Sequence, residues 1–345
     1  MKSKIFKGLL FLGIVAFFCA CNIGEGKRSN QHETPDVQHE ITGKAQGTTY
    51  SIKYFGKNNE EIPKSITTVL EEIDRCFSLW RDDSELVRVN NSEGPYKLND
   101  PNQYFEEVFQ LSKDIAQRTD HDFNPALHPI ISAWGFSRKS GKVLTQKEVD
   151  SLLQTCSFND WELNDEFLSK KNGSLDFNGI AQGYTVDVLA KTLEDFGISN
   201  YFVEVGGETK VKGVKPDGEL WRIGIDKPIE GNEREIQEIL SLTNKAVVTS
   251  GSYRKFKEVD GKKYSHTIDP QTGFPAMNTL LSVTLIMDQC AEADALATAM
   301  MVMGREKAIA FAQNLDRIDG FYLIYNEKGK WQTYSSVGFD EYLAD

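Results

Sequence analysis

The chain has 345 residues, 40% of them hydrophobic and 26% charged, which is ordinary for a folded protein with room for one large domain or two smaller ones. A formal net charge of −12 argues against nucleic acid as a partner. It also means that an anionic ligand needs local help from a metal, a helix start or a few lysines.

The first residues read as targeting rather than fold. Lys2, Lys4 and Lys7 precede an apolar run, Gly8–Ala20, too short to span a membrane comfortably. That is the pattern of an export signal, expected over residues 1–20. Residues 18–21, Phe-Cys-Ala-Cys, resemble a bacterial lipoprotein box with Cys21 as the lipidated residue. Residues 21–40, which include His32 and His39, have almost no apolar side chains and read as a polar tether. The expected location is therefore outside the cytoplasm, lipid-anchored to a bacterial membrane, with a single folded domain over 41–345. Setting aside Cys19 and Cys21, the remaining cysteines are Cys76, Cys156 and Cys290, with neither metal-ligand spacing nor CxxC.

From Ile41 onward strand-like and helix-like segments alternate. GTTYSIKYF (47–55) alternates as a strand, and apolar spacing predicts helices over 65–79 and 104–119. A helix end at Trp80 is followed by a restart capped by Asp83 or Ser84. SLDF (174–177) reads as a short strand leading through NGIAQG into a helix over 185–196, closed by Gly197. Strands are expected at 201–205, 209–214, 221–225, 245–249, 263–268 and 281–287, with a C-terminal hairpin at 321–325 and 330–336. Helices packed on mixed, mainly antiparallel sheets make an α+β fold.

Several stretches carry candidate chemistry. EADALATAMMVMG (292–304) is apolar except for Glu292, Asp294 and Thr298. Asp294 and Thr298, four apart, share a helix face, so both oxygens can serve one hard cation. The structural alternative is dipole stabilisation by Asp294 and back-bonding by Thr298. In VVTSGSYRKF (247–256) a strand ends at Thr249, and Ser250, Gly251 and Ser252 form a turn suited to an anion nest, with Arg254 and Lys255 beside it. An ordinary hairpin turn reads equally well there. YSHTIDPQTGFP (264–275) places His266 on a strand before Asp269, a base with an orienting carboxylate or simply a histidine beside an Asp-Pro turn. In LDFNGIAQGYTVD (175–187), Gly179 and Gly183 allow close backbone approach. The glycine pair in VEVGGETKVKG (203–213) is a hairpin break or a surface for a ligand, while His121 and His128 read as structural. Trp80 is core or a platform for an aromatic ring.

In order, GTTYSIKY, FSLWRDDSELVRVN, DFNPALHPIISAWGF, LDFNGIAQGYTVD, VEVGGE, WRIGIDKP, VVTSGSYRKF, YSHTIDPQTGFP and EADALATAMMVMG resemble the ApbE family of flavin transferases over roughly 41–340. The resemblance implies Mg2+-dependent transfer of FMN from the substrate FAD to a Thr or Ser hydroxyl of an acceptor protein, with AMP released. Magnesium would be held by Asp294, Thr298 and the Gly179 carbonyl. FAD would lie across Gln46, Trp80, Asp122, Phe123, Asn124, Asp176, Gln182 and Ile268, with Ser250, Gly251 and Ser252 near its phosphates. His266 matches the family's proposed base, with Asp269 beside it. Many members carry Lys where this chain has Gln182. Acceptors in the family include subunits of membrane redox complexes of the Na+-translocating NADH:quinone reductase and Rnf type. The same site could instead hydrolyse FAD to FMN and AMP, or a lipoprotein of this sequence could only bind FAD.

Overall fold

The computed structural model describes residues 37–137, 141–229, 235–252, 256–259 and 262–344, with only the backbone described at 256–259 and 262–263. The expected export signal, Cys21, His32, Arg254 and Lys255 lie outside these residues. Eight strands form the main sheet in the spatial order Val37–Ala45, Thr48–Gly56, Tyr201–Val205, Glu208–Lys212, Lys245–Gly251, Leu280–Met287, Gly320–Glu327 and Lys330–Ser335. All neighbours are antiparallel. Successive side chains of a strand point to opposite faces, and here both faces are covered. Val248, Leu285 and Leu323 pack into a core with helices Glu61–Phe77, Ala181–Asp195 and Cys290–Met303. Their neighbours Val247, Ile286 and Ile324 pack on the other face against the Trp221–Asp226 and Ile236–Leu242 hairpin. Double burial is why LSVTLIM ends in an unbroken apolar run, Leu285–Met287, and why its polar members Ser282 and Thr284 are buried too.

A third apolar cluster lies under helices His128–Trp134 and Gln146–Leu153. Here Trp134 donates from Nε1 to the Gly273 carbonyl (3.0 Å) and packs its ring against Tyr264 and Phe274. The TGF turn is thereby docked onto the SAWGF helix. Cys76, Cys156 and Cys290 are buried free thiols.

Several boundaries differ from the sequence reading. The first strand starts at Val37, so Val37–Glu40 belong to the sheet and not to the tether; His39 stacks on Tyr54 and bonds the Gly56 carbonyl. The first helix starts at Glu61 because Pro63 is tolerated in a first turn, where its missing N–H is not needed. Ser84 is the cap of Glu85–Asn91, accepting from Val87 N–H. SLDF is not a strand. Its Leu175 exchanges hydrogen bonds with the Asn90 side chain, and Asp176 N–H donates to Pro125, so side-chain and single backbone bonds replace a ladder. The following helix begins at Ala181, which moves Gln182 and Gly183 from a loop into its first turn. It ends as expected at Gly197 (φ 79°), with Ile198 N–H bonding Leu193 and Gly197 N–H bonding Glu194.

Candidate active site

Two helix starts cross at the centre of the site. Gly183 lies so close to the Cys290–Met303 helix that a Cβ there would sit 2.5 Å from the Cys290 carbonyl oxygen and 2.8 Å from Asp294 Cβ. Through that gap Gly183 N–H donates to Asp294 Oδ2 (3.1 Å). Asp294 is only 4% exposed, and this bond partly offsets the cost of burying its charge. One turn on, Thr298 faces Gly179, where a Cβ would lie 3.4 Å from Thr298 Oγ1 and equally far from the Phe123 ring. Asp294 thus meets Gly183, and Thr298 meets Gly179 four residues earlier in the same segment.

Among the described residues no cluster of three or more His, Cys, Asp or Glu side chains gathers to hold a metal. Asp294 and Thr298 bring a carboxylate and a hydroxyl, both hard oxygen donors, to this helix crossing. They fit Mg2+, which takes few protein ligands and completes its shell with water and substrate phosphates.

Around this corner the other candidates are held by local bonds. Gln46, at φ 52° in the turn between the first two strands, donates to Thr185 Oγ1 (2.6 Å), which in turn donates to the Ala181 carbonyl. Its own Oε1 is buried without a hydrogen-bond partner. Gln182 lies over Gly206, where a Cβ would come within 2.7 Å of Gln182 Nε2. Gly206 (φ 70°) is therefore fixed both by its backbone and by that contact. Asn124 caps the turn after it by accepting from Ala126 N–H, and donates to the Cys156 carbonyl. Asp176 accepts from Asn178 N–H, and its Oδ2 lies 3.8 Å from His128 Nδ1.

Asp122 is the electrostatically unusual member. Burial raises its carboxyl to about 6; Asp269 and Asp120 push the same way, and Lys307 opposes them. That Asp269 acts on Asp122 puts the 269 turn in the same neighbourhood. Lys307, an exposed residue of helix Arg305–Gln313, is a cation that sequence reasoning did not single out, because nothing in its local pattern separates it from a solvated lysine.

Three expectations need correction. Ser250 and Gly251 do not form a turn: the strand continues through Gly251, paired to Val283 and Ser282, so no anion nest forms there. Ser252 continues that edge, donating its N–H to Leu281 and its hydroxyl to Leu280. His266 is not on the strand, which ends at Ser265; it is half-buried in the bend before Ile268, which bridges to Pro275. Asp269 Oδ1 accepts from Gln271 and Thr272 N–H and so builds the Asp-Pro turn. Trp80 is 65% exposed, which removes the core reading. Trp80 and Ser250–Ser252 are not among the residues that the contacts at the helix crossing join.

An antiparallel α+β scaffold with an oxygen-rich corner between two helix starts, edged by glycines, suits a diphosphate-bearing ligand. The sequence matches the ApbE family over residues 46–322, and the chain belongs to that family. Its relatives include the FAD:protein FMN transferases of Vibrio cholerae (34% identical, covering 90% of this chain and 95% of that protein) and of Escherichia coli K12 (31%, 98% of each). The fold is similar to the solved flavin transferase ApbE of Vibrio cholerae, with a TM-score of 0.80 over 90% of this chain and all of that one, at 34% identity. It is equally similar to the apo flavinyl transferase ApbE of Pseudomonas stutzeri, with a TM-score of 0.80 at 32% identity over 89% of this chain and 97% of that one.

Proposed function

We propose that this enzyme is an FAD:protein FMN transferase that depends on Mg2+, takes a Thr or Ser hydroxyl as acceptor and releases AMP. Flavin transfer from FAD is supported by the relatives' shared activity. The observation that carries the metal-dependent chemistry is buried Asp294 held at Gly183, with Thr298 facing bare Gly179 one helical turn on.

In this reading the acceptor oxygen bonds to the FMN phosphorus as the diphosphate P–O bond breaks, and AMP takes the electron pair. Phosphoryl transfer of this kind depends mainly on positioning and charge stabilisation. Asp294, Thr298 and the Gly179 carbonyl would hold Mg2+, which supplies positive charge to the diphosphate when bound. His266, in its bend, would accept the hydroxyl proton, and the turn built by Asp269 would hold that bend in place. Gln46 Oε1, a buried acceptor without a hydrogen-bond partner, would receive a donor from the flavin substrate. Ser250–Ser252 would offer hydroxyls rather than a backbone nest, and Gln182 a neutral amide.

Export, lipidation at Cys21 and acceptors in membrane redox complexes belong to the same proposal. No helix among the described residues is long and apolar enough to cross a membrane. The test is to mix the protein with FAD, Mg2+ and candidate acceptor subunits, then read in-gel flavin fluorescence and free AMP, with and without EDTA. Transfer is expected only with metal, and Asp294→Ala should abolish it while keeping the native circular dichroism. AMP with free FMN and no labelled acceptor would point to hydrolysis instead. No AMP with any acceptor would refute catalysis.

A further inference from the structure

Neither crossing helix caps its own start: Ile180 and Gln289, the residues that precede them, make no side-chain capping bond. Each instead borrows a carboxylate from the other. Asp294 of the second helix accepts Gly183 N–H from the first turn of the first helix (3.1 Å). Asp187 of the first helix accepts Ala291 N–H from the first turn of the second (2.9 Å). Asp187 is in turn held by Lys210 on the adjoining strand (2.6 Å). The two bonds are reciprocal and close a ring through both helices. Each also places a negative group at a helix start, where the dipole favours it.

We propose that Asp187 is a positioning residue for the metal-holding corner. This rests on the metal-dependent transferase reading. Asp187 takes no part in binding the metal or FAD. By holding Ala291 it fixes how the second helix lies across the first, and so keeps Asp294 at Gly183 and Thr298 at Gly179. Without the bond, the start of the second helix is free to slide away from Gly183, because a glycine presents no side chain to stop it.

The experiment uses the full chain and Mn2+ as the probe, with free Mn2+ counted by electron paramagnetic resonance in the presence of FAD and the absence of acceptor. Asp187→Ala is expected to weaken Mn2+ binding by about 10- to 100-fold, the usual effect of losing an outer-shell partner. Asp187→Asn keeps an oxygen for Ala291 N–H and should recover most of the affinity. Lys210→Met breaks the ion pair but leaves the Ala291 bond, and should bind Mn2+ like the unaltered protein. Ala291→Pro removes the donor itself at a position in the first helical turn that tolerates proline, and should weaken Mn2+ binding as Asp187→Ala does. A folded Asp187→Ala with unaltered Mn2+ affinity overturns the proposal. So does failure of both Asp187→Ala and Ala291→Pro to fold, since the bond would then hold the fold and not the site. If the unaltered protein binds no Mn2+ even with FAD, the functional reading fails instead.

Discussion

Alanine at Gly183 puts a methyl carbon 2.5 Å from the Cys290 carbonyl oxygen, where ordinary contact begins near 3.4 Å. The clash is with backbone, so no rotamer change relieves it, and the helices must part locally by about 0.9 Å, the difference between those two distances. Overpacking of this kind costs about 1–3 kcal/mol. Alanine returns up to about 1 kcal/mol of helix propensity. Stretching the Gly183 N–H bond to a buried carboxylate removes part of the roughly 1.5–3 kcal/mol such a bond contributes. The net loss is about 2 kcal/mol, or a fall in Tm of about 3 °C for a fold of roughly 300 residues. Activity should suffer more, because a shift approaching 1 Å at a reacting centre costs on the order of 100-fold. Thermal unfolding in EDTA measures the first effect, and initial rates of acceptor labelling at saturating FAD measure the second. Gly197→Ala is the control: its φ of 79° strains any side chain, at a cost of about 1 kcal/mol, yet it lies at the far end of the helix and should leave the rate unchanged. A Gly183→Ala protein with native Tm and native rate would show that the close crossing is not what seats Asp294.

Other consequences follow from single residues. His266→Ala should still bind FAD but transfer FMN slowly, and its rate should lose the acid-side dependence expected of a histidine base; restored transfer at high FAD alone would place His266 in the binding pocket. Asp122 binds its proton more tightly in the fold than in the unfolded chain, with a carboxyl at about 6 against 3.8. Its favourable contribution is complete below pH 3.8 and is lost as pH rises through 6. Asp122→Asn should therefore raise Tm at pH 7.5 in the absence of ligand, with the gain shrinking to nothing near pH 4; equal Tm differences at both pH values would exclude this cause. Trp80→Ala, at an exposed position, should change stability by less than about 0.5 kcal/mol. Loss of a stacking platform should raise the Kd for FAD by about 2- to 10-fold, which fluorescence titration can measure.

The strands and long helices were legible because their apolar periodicity reports which face is buried. LSVTLIM, buried on both faces, still read correctly because length and β-branching separate it from a helix. The Asp294–Thr298 pair drew attention for a different reason: polar atoms four apart in an apolar helix need something to satisfy them, and Asp294 finds Gly183 N–H. What could not be read were features fixed by distant partners. SLDF looked like a strand, but its bonds go to the Asn90 side chain and Pro125. TSG looked like a turn because Ser and Gly favour turns, yet pairing with Val283 and Ser282 holds it extended. Asp187 carried no signal at all, since an acidic residue on a helix is ordinarily solvated, and its partner Ala291 lies over a hundred residues away.

The opening hairpin also sets an orientation. Its turn holds Gln46 against Thr185, while its other end pairs Val37 with Gly56. Eight strand steps separate Val37 from Ala45, a span of about 27 Å. The polypeptide thus joins the sheet at the end of the first strand opposite the turn that holds Gln46.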